Sequence, residues 1–121
     1  MSPWDPSMGS SDTRQLAHDS LLGLAVGDAL GAGSEGHSMQ PTPIRDLTPP
    51  PGVVLRWTDD TQMALSVVEV LQEAGAIDQD RLARAFVRRY EPGRGYGAGM
   101  HALLARMAEG EAWREARRSV F

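Results

Sequence analysis

The sequence predicts an all-α fold, and three observations carry that expectation. Apolar residues recur at helical spacing in several separate stretches. Glycine, proline and helix-capping residues punctuate those stretches. One run alone, Val53-Val54-Leu55, reads as a short extended piece. The 121 residues suit one domain at most, with a real but modest core. Apolar residues at 41% and charged residues at 23% exclude a chain disordered throughout.

Residues 1–12, rich in Ser and Pro, read as a flexible tail ahead of a domain over 13–121. A first helix is expected from about Thr13 to Ala32, with Ser11, Asp12 and Thr13 as capping candidates. Ala17, Leu21, Leu24, Asp28 and Ala32 fall near one stripe of it. Gly23, Gly27 and Gly31 mark a neighbouring stripe. Each glycine costs a helix about 1 kcal/mol relative to Ala. Close approach of another helix is the usual offset, and is expected here.

Residues 33–57 form a long loop holding Pro41, Pro43, Pro49, Pro50 and Pro51. A loop beyond roughly 15 residues usually has a task, such as lining a site. A second helix follows over Asp59–Ala74. Met63, Ala64, Leu65, Val67, Val68, Val70 and Leu71 make it apolar around most of its circumference, the pattern of a buried central helix. Gly75 suits its C-terminal cap. Asp78 caps a third helix over 79–90, with Leu82, Phe86 and Tyr90 on one side and Arg81, Arg84, Arg88 and Arg89 toward solvent. Pro92 stops it, and a glycine-rich loop runs from Gly93 to Gly99. A fourth helix over 99–109 ends at Gly110, and a fifth begins near Glu111. The chain closes on the apolar Val120-Phe121. With so apolar a second helix to cover, marginal stability or self-association is expected.

The net charge of -4 argues against non-specific binding to nucleic acid or an anionic membrane. All 12 basic residues are Arg, which is compositional bias rather than a phosphate signal. With no cysteine there is no disulfide, thiolate nucleophile or Cys-based zinc site, so any metal needs oxygen ligands or His. The first 12 residues do not form a signal peptide. The apolar stretch Leu21–Ala32 is too short to span a bilayer and carries Asp28. A soluble cytoplasmic protein is the expectation.

The chemistry concentrates in Thr58-Asp59-Asp60-Thr61, where the second helix starts. Capping explains part of it. Asp and Thr are preferred N-caps, and Asp59 with Gln62 resembles a capping box. Two adjacent Asp residues flanked by Thr exceed what a cap requires. Such carboxylates repel unless a cation or protons lie between them. Clustered carboxylate and hydroxyl oxygens suit Mg²⁺ or Mn²⁺. Asp28, on an apolar stripe, must meet donors: backbone groups at a neighbouring helix end, an Arg, or the surroundings of a metal. Glu35 is either a solvated loop acid or an additional ligand. The loop around Arg94 and Tyr96 could approach a phosphate or stack on a base, although glycine is common in such turns. His18, His37 and His101 lack paired ligand spacing and read as surface or packing residues. There is no P-loop, no Gly-x-Ser-x-Gly run and no dinucleotide fingerprint.

Three runs together resemble the ADP-ribosylglycohydrolase family. Gly23-Leu24-Ala25-Val26-Gly27-Asp28-Ala29-Leu30-Gly31-Ala32, followed by Glu35, is similar to its opening helix. Trp57-Thr58-Asp59-Asp60-Thr61-Gln62-Met63 is similar to its first metal motif, and Arg94-Gly95-Tyr96-Gly97 to its following loop. The resemblance implies an orthogonal helical bundle with two Mg²⁺ or Mn²⁺ ions in a cleft. It implies hydrolysis of the bond joining ADP-ribose to a protein side chain or small acceptor. By position, Thr58, Asp59, Asp60 and Glu35 would be metal ligands. Glu35 would also steer water or relay a proton, and Asp28 would stand behind the ligands. Arg94, Gly95, Tyr96 and Gly97 would contribute to substrate binding. The family's second metal motif and its Gly-Asn-Gly segment are missing from these residues. That implies half of a two-metal site, and either a C-terminal complementing segment or a chain that binds ADP-ribose or metal without turnover.

Overall fold

The computed structural model describes residues 9–32 and 51–121. Among them are five α-helices and no strand: α1 (Ser10–Ala32), α2 (Asp59–Ala74), α3 (Gln79–Arg89), α4 (Ala98–Ala108) and α5 (Trp113–Val120). A single 3₁₀ turn, Pro92–Arg94, joins α3 to the loop before α4. The all-α expectation holds. Glu35, His37, residues 1–8 of the tail expected over 1–12 and residues 33–50 of the loop expected over 33–57 lie outside the described residues. Helix α1 begins at Ser10, three residues before the expected start. Val53, Val54 and Leu55 form no strand and are exposed. No helix among the described residues is long and apolar enough to cross a membrane.

The punctuation read from sequence sets several boundaries. Gly75 takes the left-handed conformation (φ 70°), and its N–H donates to Leu71 O, closing α2. Asp78 caps α3 by accepting from the N–H groups of Asp80 and Arg81, both at 3.0 Å. Helix α2 packs on α1 and α3, α3 also on α4, and α4 on α5. Arg88 and Arg89 of α3 reach Glu69 of α2, and Arg89 Nε donates to Ser66 Oγ at 3.3 Å.

The core is small. Val70, Ala85, Tyr96, Leu104 and Ala116 are its buried apolar residues, and Thr61, Gln62 and Ser66 are buried beside them. The fully buried positions of α2 are thus mainly polar. Its apolar residues are mostly half-buried, and Leu71 is exposed. Among the described residues, the burial expected of a central helix is met on one side of α2. The side of α2 that packs on α3 and the loop before α4 is the one that buries.

A correction concerns α1. A Cβ built at Gly23, Gly27 or Gly31 would meet nothing within 4 Å. The glycine stripe makes no close helix contact among the described residues. Ala17 and Leu21 line a groove with Leu65 and Val68 of α2. At roughly 100° per residue, Gly23 and Gly27 then fall on the other side of α1. Exposed Leu16, Leu22 and Val26 lie around that outer side.

Candidate functional site

The start of α2 is gripped from α1. The Asp28 carboxylate accepts four hydrogen bonds there. Thr58 donates to it through N–H at 2.7 Å and through Oγ1 at 2.6 Å. Thr61 donates through N–H at 3.3 Å and through Oγ1 at 2.6 Å. Asp28 therefore caps α2 from another helix. The α2 macrodipole favours that negative charge. Burial pushes the Asp28 carboxyl up, but the bonds from Thr58 and Thr61 outweigh it and hold it below the usual carboxylate value.

This arrangement replaces the expected capping box. Thr58 is the N-cap, but its hydroxyl accepts no cap bond and donates to Asp28 instead. Gln62 turns to Tyr96 instead of reaching back to the helix start. A hydroxyl has one proton and two lone pairs. With its proton on Asp28, Thr58 keeps both lone pairs. Thr58 and Asp59 are half-buried, Asp60 is exposed, and Thr61 is buried. Among the described residues neither Asp59 nor Asp60 forms an ion pair.

The glycine-rich loop closes on the same turn from the opposite side in sequence. Arg94 Nη1 donates to Trp57 O at 3.1 Å, and its guanidinium lies 5.1 Å from the Trp57 ring centroid. Its Nε donates to Glu91 at 2.9 Å. Gly95 has φ +86°, and a Cβ there would stand 3.9 Å from Thr58 Cβ and 4.0 Å from Asp59 Oδ1. Tyr96 Oη donates to Gln62 Oε1 at 2.9 Å. Gly97, exposed, is the N-cap of α4.

Tyr96 is only 6% exposed. Its ring packs edge-on against Tyr90 at 5.0 Å and lies 6.0 Å from His101, and the Tyr90 hydroxyl is hydrogen-bonded to His101 Nδ1. Burial, with Asp59 nearby, pushes the Tyr96 hydroxyl above its ordinary pKa, so it stays a proton donor to Gln62. A ring enclosed in this way offers no face for stacking on a base. Tyr96 ties the loop to α2 through Gln62. His101 is a packing residue, and His18 is exposed beside Asp19.

The structure thus brings Asp28, Thr58, Asp59, Arg94, Gly95 and Tyr96 to one junction. The sequence reading missed the Gln62–Tyr96 bond. Its signal was present as Thr61, Gln62 and Ser66, polar residues in an otherwise apolar helix. Among the described residues no three of His, Asp and Glu gather closely enough to hold an ion together.

Comparison with known proteins matches residues 9–120 to the family model described as ADP-ribosylglycohydrolase. The chain is similar to the ADP-ribosylhydrolase ARH3 of Gallus gallus, 37% identical over 94 residues, covering 64% of this chain and 26% of that protein. It is 32% identical to the Homo sapiens ADP-ribosylhydrolase ARH3 over 101 residues, covering 72% and 28%. It is 36% identical to the ADP-ribosylarginine hydrolase Tri1 of Pseudomonas putida (strain GB-1) over 80 residues, covering 64% and 22%. The chain spans about a quarter of the length of these curated relatives. No solved structure matches it.

Proposed function

The chain belongs to the ADP-ribosylglycohydrolase family, and from that premise we infer that Thr58, Asp59 and Asp60 serve as cation ligands in hydrolysis of ADP-ribose conjugates. The bond cleaved joins ADP-ribose to a protein side chain or small acceptor. The observation that carries this reading is the junction at Asp28. It accepts hydrogen bonds from both threonine hydroxyls and leaves the Thr58 lone pairs free, with Asp59 and Asp60 next in sequence. Such oxygen donors fit Mg²⁺ or Mn²⁺. When bound, the cation supplies orientation of the ribose hydroxyls and of a water.

The chain's own residues have distinct parts in this reading. Asp28 fixes the Thr58 hydroxyl and anchors the turn to α1. Gly95 leaves room beside Asp59, where a side chain would touch the carboxylate. Glu35, by its position after the opening helix, steers the attacking water or relays a proton. Acidic groups stabilise positive charge at the departing ribosyl carbon. The relatives' names support an ADP-ribosylated substrate, with ADP-ribosylarginine the case that Tri1's name gives.

A second reading is binding of ADP-ribose or metal without turnover. Release of ADP-ribose from a modified protein, with Mg²⁺ or Mn²⁺ and then EDTA, separates the two. Metal-dependent release lost in Asp60→Ala supports hydrolysis. ADP-ribose bound but not released supports the second reading, and neither release nor binding overturns both.

A further inference from the structure

We propose that Tyr96 is a positioning residue for the first turn of α2, acting through its hydroxyl on Gln62. The proposal deepens the cation-site reading and rests on it for its consequence at the ligands. Three successive loop residues face the turn in register: Arg94 donates to Trp57 O, a Cβ at Gly95 would stand 3.9 Å from Thr58 Cβ and 4.0 Å from Asp59 Oδ1, and Tyr96 donates to Gln62. Only the last contact is buried on both sides, with Tyr96 6% and Gln62 2% exposed. The Gln62 N–H in turn donates to Thr58 O at 3.3 Å, so a shift of Gln62 is felt at the N-cap.

Tyr96 is itself fixed by the Tyr90 and His101 rings and cannot follow a displaced turn. Asp28 holds the turn from α1, and Tyr96 holds it from the loop. With either anchor alone the turn can pivot about the other. With both it cannot, and the Asp59 carboxylate keeps its place beside Gly95. Such indirect support of ligands commonly governs how well they bind an ion.

The test uses the full chain and two variants. Tyr96→Phe keeps the ring packing and strands the Gln62 acceptor. Adding Gln62→Met removes the stranded group, and exchange of both partners for apolar groups of similar shape is nearly neutral for stability. The double variant is expected to regain the wild-type unfolding midpoint. Exchange of the Thr58, Thr61 and Gln62 amides is expected to stay about tenfold faster than wild type, the scale of one net hydrogen bond. The Mn²⁺ dissociation constant is expected to stay raised by a similar factor. First-turn exchange that returns to wild type in the double variant, or rises equally in α3 and α5, overturns the proposal. A wild-type chain whose 58–60 amides do not respond to Mn²⁺ overturns the cation reading instead, and the exchange result still decides the positioning.

Discussion

The junction at the first turn of α2, faced by Gly95 of the loop before α4, and the outer side of α1, with Gly23 and Gly27, both carry glycine within runs that resemble family motifs, but their surroundings are opposite. At the turn, Asp28 accepts four hydrogen bonds, a side chain at Gly95 would meet Thr58 and Asp59, and Tyr96 is hydrogen-bonded to Gln62. On the outer side of α1, Gly23 and Gly27 face open space between exposed Leu16, Leu22 and Val26. None of the 23 residues of α1 is buried. The helix is held by a polar junction more than by a core. Among the described residues, the polar ties between α1 and α2 therefore concentrate at the first turn of α2.

The largest effect expected from breaking this contrast comes from Asp28→Ala. It strips the cap of α2 and the main polar tie of α1, and should cost about 2–4 kcal/mol. Urea unfolding measures it. The same residue sets a pH window. Its folded pKa is depressed, so its stabilisation is complete above the ordinary value of 3.8 and fades as pH falls through the lower folded value. Asp28→Ala should flatten that acid limb of the stability curve.

A smaller loss is expected from Gly95→Ala. The positive φ penalises any L-residue by roughly 1–2 kcal/mol, and the new methyl would touch Thr58 and Asp59. Thermal unfolding reads the loss, and Mn²⁺ affinity should fall with it. The smallest effect has the opposite sign. Gly23→Ala and Gly27→Ala meet no neighbour, so each should stabilise α1 by up to about 1 kcal/mol. A destabilising result at either would mean that the outer side of α1 is packed in solution, and the contrast between the two regions would break.

Local signals in the sequence were legible where the physics is local. Gly75 and Asp78 marked their helix ends because a left-handed cap and a side-chain cap depend on adjacent residues alone. The Thr-Asp-Asp-Thr run carried the expectation of more than a cap in adjacent residues in the same way. The long-range partners were not legible. Nothing near Asp28 in the sequence says that its donors lie 30 and 33 residues away at Thr58 and Thr61. The Gln62 spacing suggested a capping box, but a buried tyrosine hydroxyl outcompeted the helix end for its carbonyl. The glycines of α1 suggested close packing from their helix cost, and cost alone does not say which neighbour offsets it.

The central claim is that the turn at Thr58, Asp59 and Asp60, held by Asp28, is a cation site. Its most direct test is a Mn²⁺ titration followed by paramagnetic broadening of backbone amides in the full chain. Broadening should begin at residues 58–60, weaken in Asp28→Ala and vanish in Asp60→Ala. Broadening spread over the acidic surface, or left unchanged at 58–60 by Asp60→Ala, would contradict the claim.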